Sequence, residues 1–176
     1  MYTFLTTTKK ERKRGFTLLE LVVYITISTL IILVLFSTLI STTRSYSAIK
    51  ATRLMHASIL SLSNRMSYEV RSARTVNLAG SLLGVDGGML LLERIENEAI
   101  ETRRFSLLDG RVLFEENGIF SGYLTDKEVI IEALRFSTQS IDDTTLVSVV
   151  IEARVEVGEY VYNEDFYMSY TLRGSY

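Results

Sequence analysis

From Leu21 to Ile40 the chain runs for twenty residues without a single charge. As a helix rising 1.5 Å per residue, that stretch covers ~30 Å, the thickness of a bilayer's hydrocarbon core. What precedes it is equally constraining. A basic stretch, Lys9-Lys10-Glu11-Arg12-Lys13-Arg14, leads to Gly15, and Phe16-Thr17-Leu18-Leu19-Glu20 then enters the apolar run. Glu20 is the anomaly, because a carboxylate in hydrocarbon costs roughly 2.5–3.5 kcal/mol on insertion scales. A group that costly is expected to have a partner and a role. A removed secretory signal fits poorly: its apolar stretch is shorter and ends at a small-residue site, whereas Ser41-Thr42-Thr43-Arg44 follows here. A plain signal anchor fits the length but leaves Gly15 and Glu20 unexplained. Residues 1–15 carry five basic groups and one acid, which predicts a cytoplasmic N-terminus and an exported remainder.

This order of basic leader, Gly15, Phe16, Thr17-Leu18-Leu19, Glu20 and uncharged run resembles the class III signal of type IV pilins and pseudopilins. The resemblance implies that a membrane-bound prepilin peptidase cuts between Gly15 and Phe16 and that Phe16 is then N-methylated. It implies further that Thr17 and Glu20 belong to the segment that seats a subunit in a helical filament. The partners implied are other pilins or pseudopilins, through the N-terminal helix, and an inner-membrane assembly platform. Physical chemistry supports the role of Glu20: in a packed bundle with little water, one subunit's carboxylate attracts its neighbour's Phe16 ammonium strongly, and either charge alone is costly. Gly15 is small and flexible, as suits a backbone entering a protease cleft.

Two absences qualify the resemblance. With no cysteine there is no disulfide-closed C-terminal loop of the kind many such pilins carry. With no proline there is none midway along the apolar helix, where major pilins usually have one; here the neighbourhood is Phe36-Ser37-Thr38. Ser37, Ser41, Thr42 and Thr43 are the residues able to loosen the helix instead, through side-chain bonds to backbone carbonyls.

From Thr17 to about Arg74 there is neither proline nor glycine, so one long helix is expected. Its second half shows a stripe of Met55, Ile59, Leu62, Met66, Val70 and Ala73, spaced three or four apart, which is one face of an amphipathic helix in need of a partner. Beyond Arg74 the period becomes two. Strands are expected at 75–79, 82–85, 89–95, 99–107, 112–115, 128–136, 145–156 and 160–172. Turns are expected at Asp86-Gly87-Gly88, Asp109-Gly110 and Gly158-Glu159, and a loop around Asn117-Gly118 and Gly122. The fold class is therefore α+β, with the helix stripe packed on an antiparallel meander. The expected organisation is a leader at 1–15, a membrane-spanning and filament-core helix at 16–40, an amphipathic helix at 41–74 and a sheet domain at 75–176.

A looser similarity to W-type minor pilins and J-type pseudopilins lies in the second half. It rests on Glu69-Val70-Arg71-Ser72-Ala73-Arg74, on the strand–Asp-Gly–strand pattern from Phe105 to Phe114, and on Leu124-Thr125-Asp126 with the strand that follows. It implies a minor, low-copy subunit.

The net charge of −2 conceals a division. Residues 41–74 carry six basic groups and only Glu69 against them, whereas residues 75–176 carry eight basic and eighteen acidic. A basic helix face meeting acidic heads within an assembly is the simpler reading, and nucleic-acid binding by the basic segment is the weaker one. Little in the chain speaks for catalysis. His56 is the sole histidine and has no cysteine to complete a zinc set, and no nucleotide or hydrolase motif occurs. The pairs Glu115-Glu116, Asp142-Asp143 and Glu164-Asp165 lack calcium-loop spacing. Tyr160, Tyr162, Tyr167 and Tyr170 fit a half-buried strand better than an aromatic binding surface. The expectation is a non-enzymatic filament subunit without cofactor, catalytic residue or metal, anchored in the cytoplasmic membrane with its head outside. The filament would be a pilus, a secretion pseudopilus or a DNA-uptake filament. The alternative is a single-pass anchored binding or sensor domain that never polymerises.

Overall fold

The computed structural model describes residues 17–96, 98–141 and 144–172. They form one helix followed by two antiparallel sheets, an α+β arrangement. The chain divides into two compact units at Thr43/Arg44. In the first, the described residues are helical from Leu18 onward. The same helix, α1 (Leu18–Ser72), supplies the first element of the second unit.

No glycine or proline interrupts those 55 residues. The helix ends where its backbone finds other partners. The Ala73 amide closes the last turn on the Glu69 carbonyl at 2.9 Å, and the next amide, of Arg74, donates to the Glu93 carbonyl at 2.8 Å and so enters a sheet. Arg71 lies in the last turn, where a cation complements the helix dipole.

The first sheet runs in sequence order: β1 (Thr75–Val76), β2 (Met89–Glu96), β3 (Ala99–Leu108), β4 (Arg111–Glu116) and β5 (Ile119–Tyr123). The second comprises β6 (Val129–Ile141), β7 (Thr144–Val157) and β8 (Tyr160–Thr171), again in order. The expected stripe is the centre of the core. Met55, Leu62, Met66 and Val70 are fully buried and Ile59 and Ala73 nearly so; Ala51 extends the line by a turn. Leu90, Leu92, Phe105 and Phe114 from the first sheet and Phe136, Val149, Ile151 and Val155 from the second belong to the same cluster. Full burial of each large aliphatic or aromatic side chain contributes roughly 1.5–3 kcal/mol.

The single meander expected from the sequence is two sheets. The strands break at Leu124–Glu128, where polar anchors take the place of a ladder. The Asp126 amide donates to Ser58 Oγ on the helix at 2.9 Å, and the buried Thr125 hydroxyl accepts the Val112 amide at 3.0 Å. The outer edge of β6 then pairs with loop backbone instead of β5. The Gly84 and Gly88 amides donate to the Phe136 and Leu134 carbonyls, and the Leu134 and Ile131 amides donate to the Asp86 and Gly110 carbonyls, at 2.6–2.8 Å. Gly88 is required by this approach, since a Cβ there would stand 2.6 Å from the Leu134 carbonyl oxygen. Recruitment of this loop also shortens the expected early strands. Only Thr75–Val76 pairs as a strand, and Leu82 makes an isolated bridge to Met89.

Asp109 (φ 50°) and Gly110 (φ 69°) both occupy the left-handed region that a two-residue primed hairpin demands. Asn117 (φ 54°) and Gly118 (φ 76°) do the same. The expected loop around Asn117-Gly118 and Gly122 is therefore a second hairpin, with Gly122 inside β5 opposite Phe114 and next to a bulge.

One carboxylate lies in the helix–sheet core. Glu69 is 2% exposed. Arg65 approaches its Oε1 at 2.9 Å, and Arg103 stands 3.6 Å from Oε2, which has no hydrogen-bond donor among the described residues. Arg65 also bonds Glu116 at 2.7 Å and lies over the Phe114 ring, and Arg103 bonds Glu101 at 2.7 Å. Burial raises the Glu69 pKa, opposed by Arg65 and Arg103 and reinforced by Glu116. A carboxyl whose folded pKa is raised stabilises the fold fully below its unfolded pKa, and that contribution is lost as pH rises through the folded value.

Three outcomes are expected. The stability of the native chain relative to Glu69→Gln falls as pH rises from the ordinary glutamate range, ~4.3, through the raised pKa of Glu69; denaturant titrations of both proteins across that range test the sign, and a difference growing with pH contradicts it. Gly110→Val destabilises the head by roughly 1 kcal/mol or more, since a β-branched residue must take positive φ, and its Cβ meets Ile130 at 3.2 Å. Gly122→Ala, whose Cβ meets nothing within 4 Å, leaves the melting temperature nearly unchanged.

Candidate assembly and processing segment

The cleavage residues expected from the sequence, Gly15 and Phe16, and the whole basic leader lie outside the described residues. Thr17 is the residue just before the helix, and its Oγ1 accepts the Glu20 amide at 3.2 Å. Its carbonyl accepts the Leu21 amide at 3.1 Å, the first turn of the helix. Thr17 is thus the N-cap and Glu20 the third helical residue, the Thr-x-x-Glu spacing of a capping box. This spacing is legible in the sequence itself. A carboxylate in the first turn also faces the positive end of the helix dipole. Glu20 therefore has a local stabilising interaction in the single chain, independent of any neighbour.

Past the cap, the helix exposes every large apolar side chain it carries as far as Ile40, from Leu18 at 82% to Val23 at 47%. An 18-residue window reaches a mean hydropathy of 2.6 with none of it buried, so the helix is long and apolar enough to cross a membrane. Its hydroxyls turn inward. Thr26, Thr29, Thr38, Thr42 and Thr43 each donate to the carbonyl four residues back, and Ser37 to the one three back, at 2.8–2.9 Å. These bonds satisfy donors that hydrocarbon cannot. α1 is unbroken through Ser37, Ser41, Thr42 and Thr43, the residues expected to loosen it.

The head disperses the other residues considered from the sequence. His56 is exposed, 3.3 Å from a Glu164 oxygen and edge-on to Phe166. Glu115 pairs with Arg104 and Glu116 with Arg65. Asp142-Asp143 lie outside the described residues. The tyrosines do not share one surface. Tyr160, Tyr162 and Tyr170 fall on one face of β8, where Tyr162 bonds Glu164 and buried Tyr170 donates to Ser63 Oγ on α1 at 2.9 Å; Tyr167, 74% exposed, lies on the other. Burial raises the Tyr170 pKa, and its bond to Ser63 opposes the shift. Among the described residues no cluster of three His, Cys, Asp or Glu side chains is placed to hold a metal ion.

The capped start and the bare apolar helix coincide with a similarity to known proteins. Residues 10–36 match the prokaryotic N-terminal methylation motif. The chain is type IV pilin-like. The motif spans the end of the basic leader, Gly15, Phe16, Thr17, Glu20 and most of the uncharged run, and such a class III signal implies processing by a prepilin peptidase. Joined to an exposed apolar helix, it marks a membrane-anchored or pilus protein of a kind that is typically structural and not enzymatic. Neither the curated proteins nor the solved structures include a match to this chain.

Proposed function

We propose that this pilin-like chain is a minor pilin or pseudopilin, a structural subunit at or near the tip of a type IV filament or of a secretion or DNA-uptake pseudopilus. The observation that carries the reading is the junction at Thr17–Glu20. A methylation motif runs directly into a capped helix whose large apolar side chains are exposed among the described residues. In this reading the precursor sits in the cytoplasmic membrane with its basic end inside and its head outside. Prepilin peptidase removes residues 1–15, and Phe16 is methylated. An assembly platform then lifts the helix out of lipid into a bundle of other subunits' helices, where those apolar side chains exchange lipid for protein. Glu20 pairs with a neighbour's Phe16 ammonium and fixes the axial register, since leaving either charge unpaired in the bundle is costly. The minor rank rests on the looser likeness of 66–76, 105–114 and 124–136 to W-type and J-type subunits.

Mass spectrometry of the membrane-associated protein is expected to find methylated Phe16 as the N-terminus in cells that contain the peptidase. Residues 1–15 still attached there would sink the proposal. Glu20→Gln and Glu20→Leu separate the two roles of the carboxylate. Glutamine is compatible with a capping box and leucine is not, whereas both remove the charge. Both variants are expected to be inserted and cut, and both to be depleted from sheared filaments. Normal incorporation of Glu20→Gln would assign Glu20 to the cap alone, and unaltered function with no filament association would favour an anchored sensor.

A further inference from the structure

The head is rich in carboxylates, and five of its seven described cations pair with them. Of its eight basic residues, Arg173 lies outside the described region. Arg94, Arg103, Arg104, Arg135 and Arg154 each pair with at least one Asp or Glu. The two left, Arg111 and Lys127, have no carboxylate partner among the described residues, and both line the same groove. In a domain with eighteen acidic residues, two cations left unpaired at one place are a local departure from the surface around them.

The groove, of about 540 Å³, lies between Leu54, Ala57, Ser58 and Ser61 of α1 and the Tyr123–Lys127 segment. Its floor is held from both sides. The Asp126 amide bonds Ser58 Oγ on the helix, and Thr125 is buried with its hydroxyl on the Val112 amide. Arg111 is fixed as well. Its Nε and Nη2 donate to the Thr125 carbonyl at 3.4 and 3.0 Å, and its guanidinium lies 3.8 Å from the centre of the Tyr123 ring. Its remaining N–H groups, those of Nη1 among them, have no acceptor among the described residues. A guanidinium already ordered by a carbonyl and an aromatic face loses little freedom on binding a carboxylate, and its planar fork matches one. Asp126 also lines the groove, but its Oδ1 is engaged by the Glu128 amide at 3.1 Å.

We infer that this groove binds a carboxylate-bearing segment of a partner protein: an acidic side chain between Arg111 and Lys127, flanked by apolar residues on Leu54, Ala57 and Leu124. The charge balance selects this ligand over a nucleic acid. Two cations beside Asp126 suit one discrete anion, whereas a phosphate backbone would face the field of a predominantly acidic domain. The inference does not depend on processing or polymerisation of the chain and stands or falls apart from the filament reading.

The test uses the full chain in detergent micelles at low salt. It is titrated with the blocked peptide acetyl-Gly-Leu-Glu-Leu-Gly-amide, with the same peptide carrying Gln for Glu, and with a short oligothymidylate, followed by NMR shifts of 54–61 and 111–127. The Glu peptide is expected to bind about tenfold or more tighter than the Gln peptide, weakening as salt is added. Lys127→Glu, at a side chain that makes no bond among the described residues, is expected to weaken it about tenfold, and Arg111→Lys severalfold through loss of the planar fork. Arg71→Gln, on the exposed helix, is expected to change nothing. Equal binding of the two peptides, no binding to the native chain, or an unaffected Lys127→Glu would each overturn the inference. So would oligothymidylate binding more tightly than the Glu peptide in a manner that Lys127→Glu abolishes.

Discussion

The structure of the head depends on burial of one helical stripe, from Ala51 to Ala73. Neither sheet on its own encloses a core. Leu90, Leu92 and Phe105 on one side and Val149, Ile151 and Val155 on the other are all covered within the cluster that Met55, Leu62, Met66 and Val70 complete. Polar contacts add to this apolar packing, among them Asp126 to Ser58, Tyr170 to Ser63, and the arginines around Glu69. Each ties a different part of the sheets to a different turn of α1. Glu69 is the costly member, a carboxylate inside a hydrophobic interface, and it persists because Arg65 and Arg103 offset part of its desolvation.

The same helix meets two different demands along its length. Beyond Arg44 one face is apolar and buried, and the rest is largely polar or basic, with Ile49 and Leu60 among its exposed residues. Before Thr43 it is apolar all round, and its threonines bond to its own carbonyls. Its large apolar side chains are exposed among the described residues, a surface that lipid or other helices would cover. Glu20 is the exception that gives the segment direction. Its place in the first turn, beside Thr17, lowers the local cost of the charge without removing it from an apolar setting.

Much of this was legible in the sequence because it is written in local periodicity. The stripe from Met55 to Ala73 follows from spacings of three and four, and the Asp109-Gly110 hairpin from a dipeptide that tolerates positive φ. Asn117-Gly118 carries the same signal, but with Gly122 close behind it the local pattern reads as a loop, and the second hairpin is plain only from the strand pairing. The division into two sheets was not legible. It depends on loop 84–88 pairing with β6 some fifty residues later, and no local pattern encodes which edge a glycine-rich loop will cover. In the candidate segment the cost of the Glu20 carboxylate is legible in the sequence, whereas the bond from the Glu20 amide to the Thr17 hydroxyl depends on where the helix starts. The groove at Arg111 and Lys127 was invisible for a different reason. A sequence counts charges, and only a structure shows which of them lack partners.

The central claim is that residues 44–74 belong to the head's core whereas 17–43 do not. Its most direct test compares two fragments, one beginning at Arg44 and one at Thr75, each ending at Tyr176. The longer fragment is expected to be soluble and to unfold cooperatively with mixed helix and strand. The shorter one, deprived of the stripe, is expected to expose the inner faces of both sheets and aggregate. A soluble, cooperatively folding Thr75 fragment would contradict the claim, as would a longer fragment that is insoluble without residues 17–43.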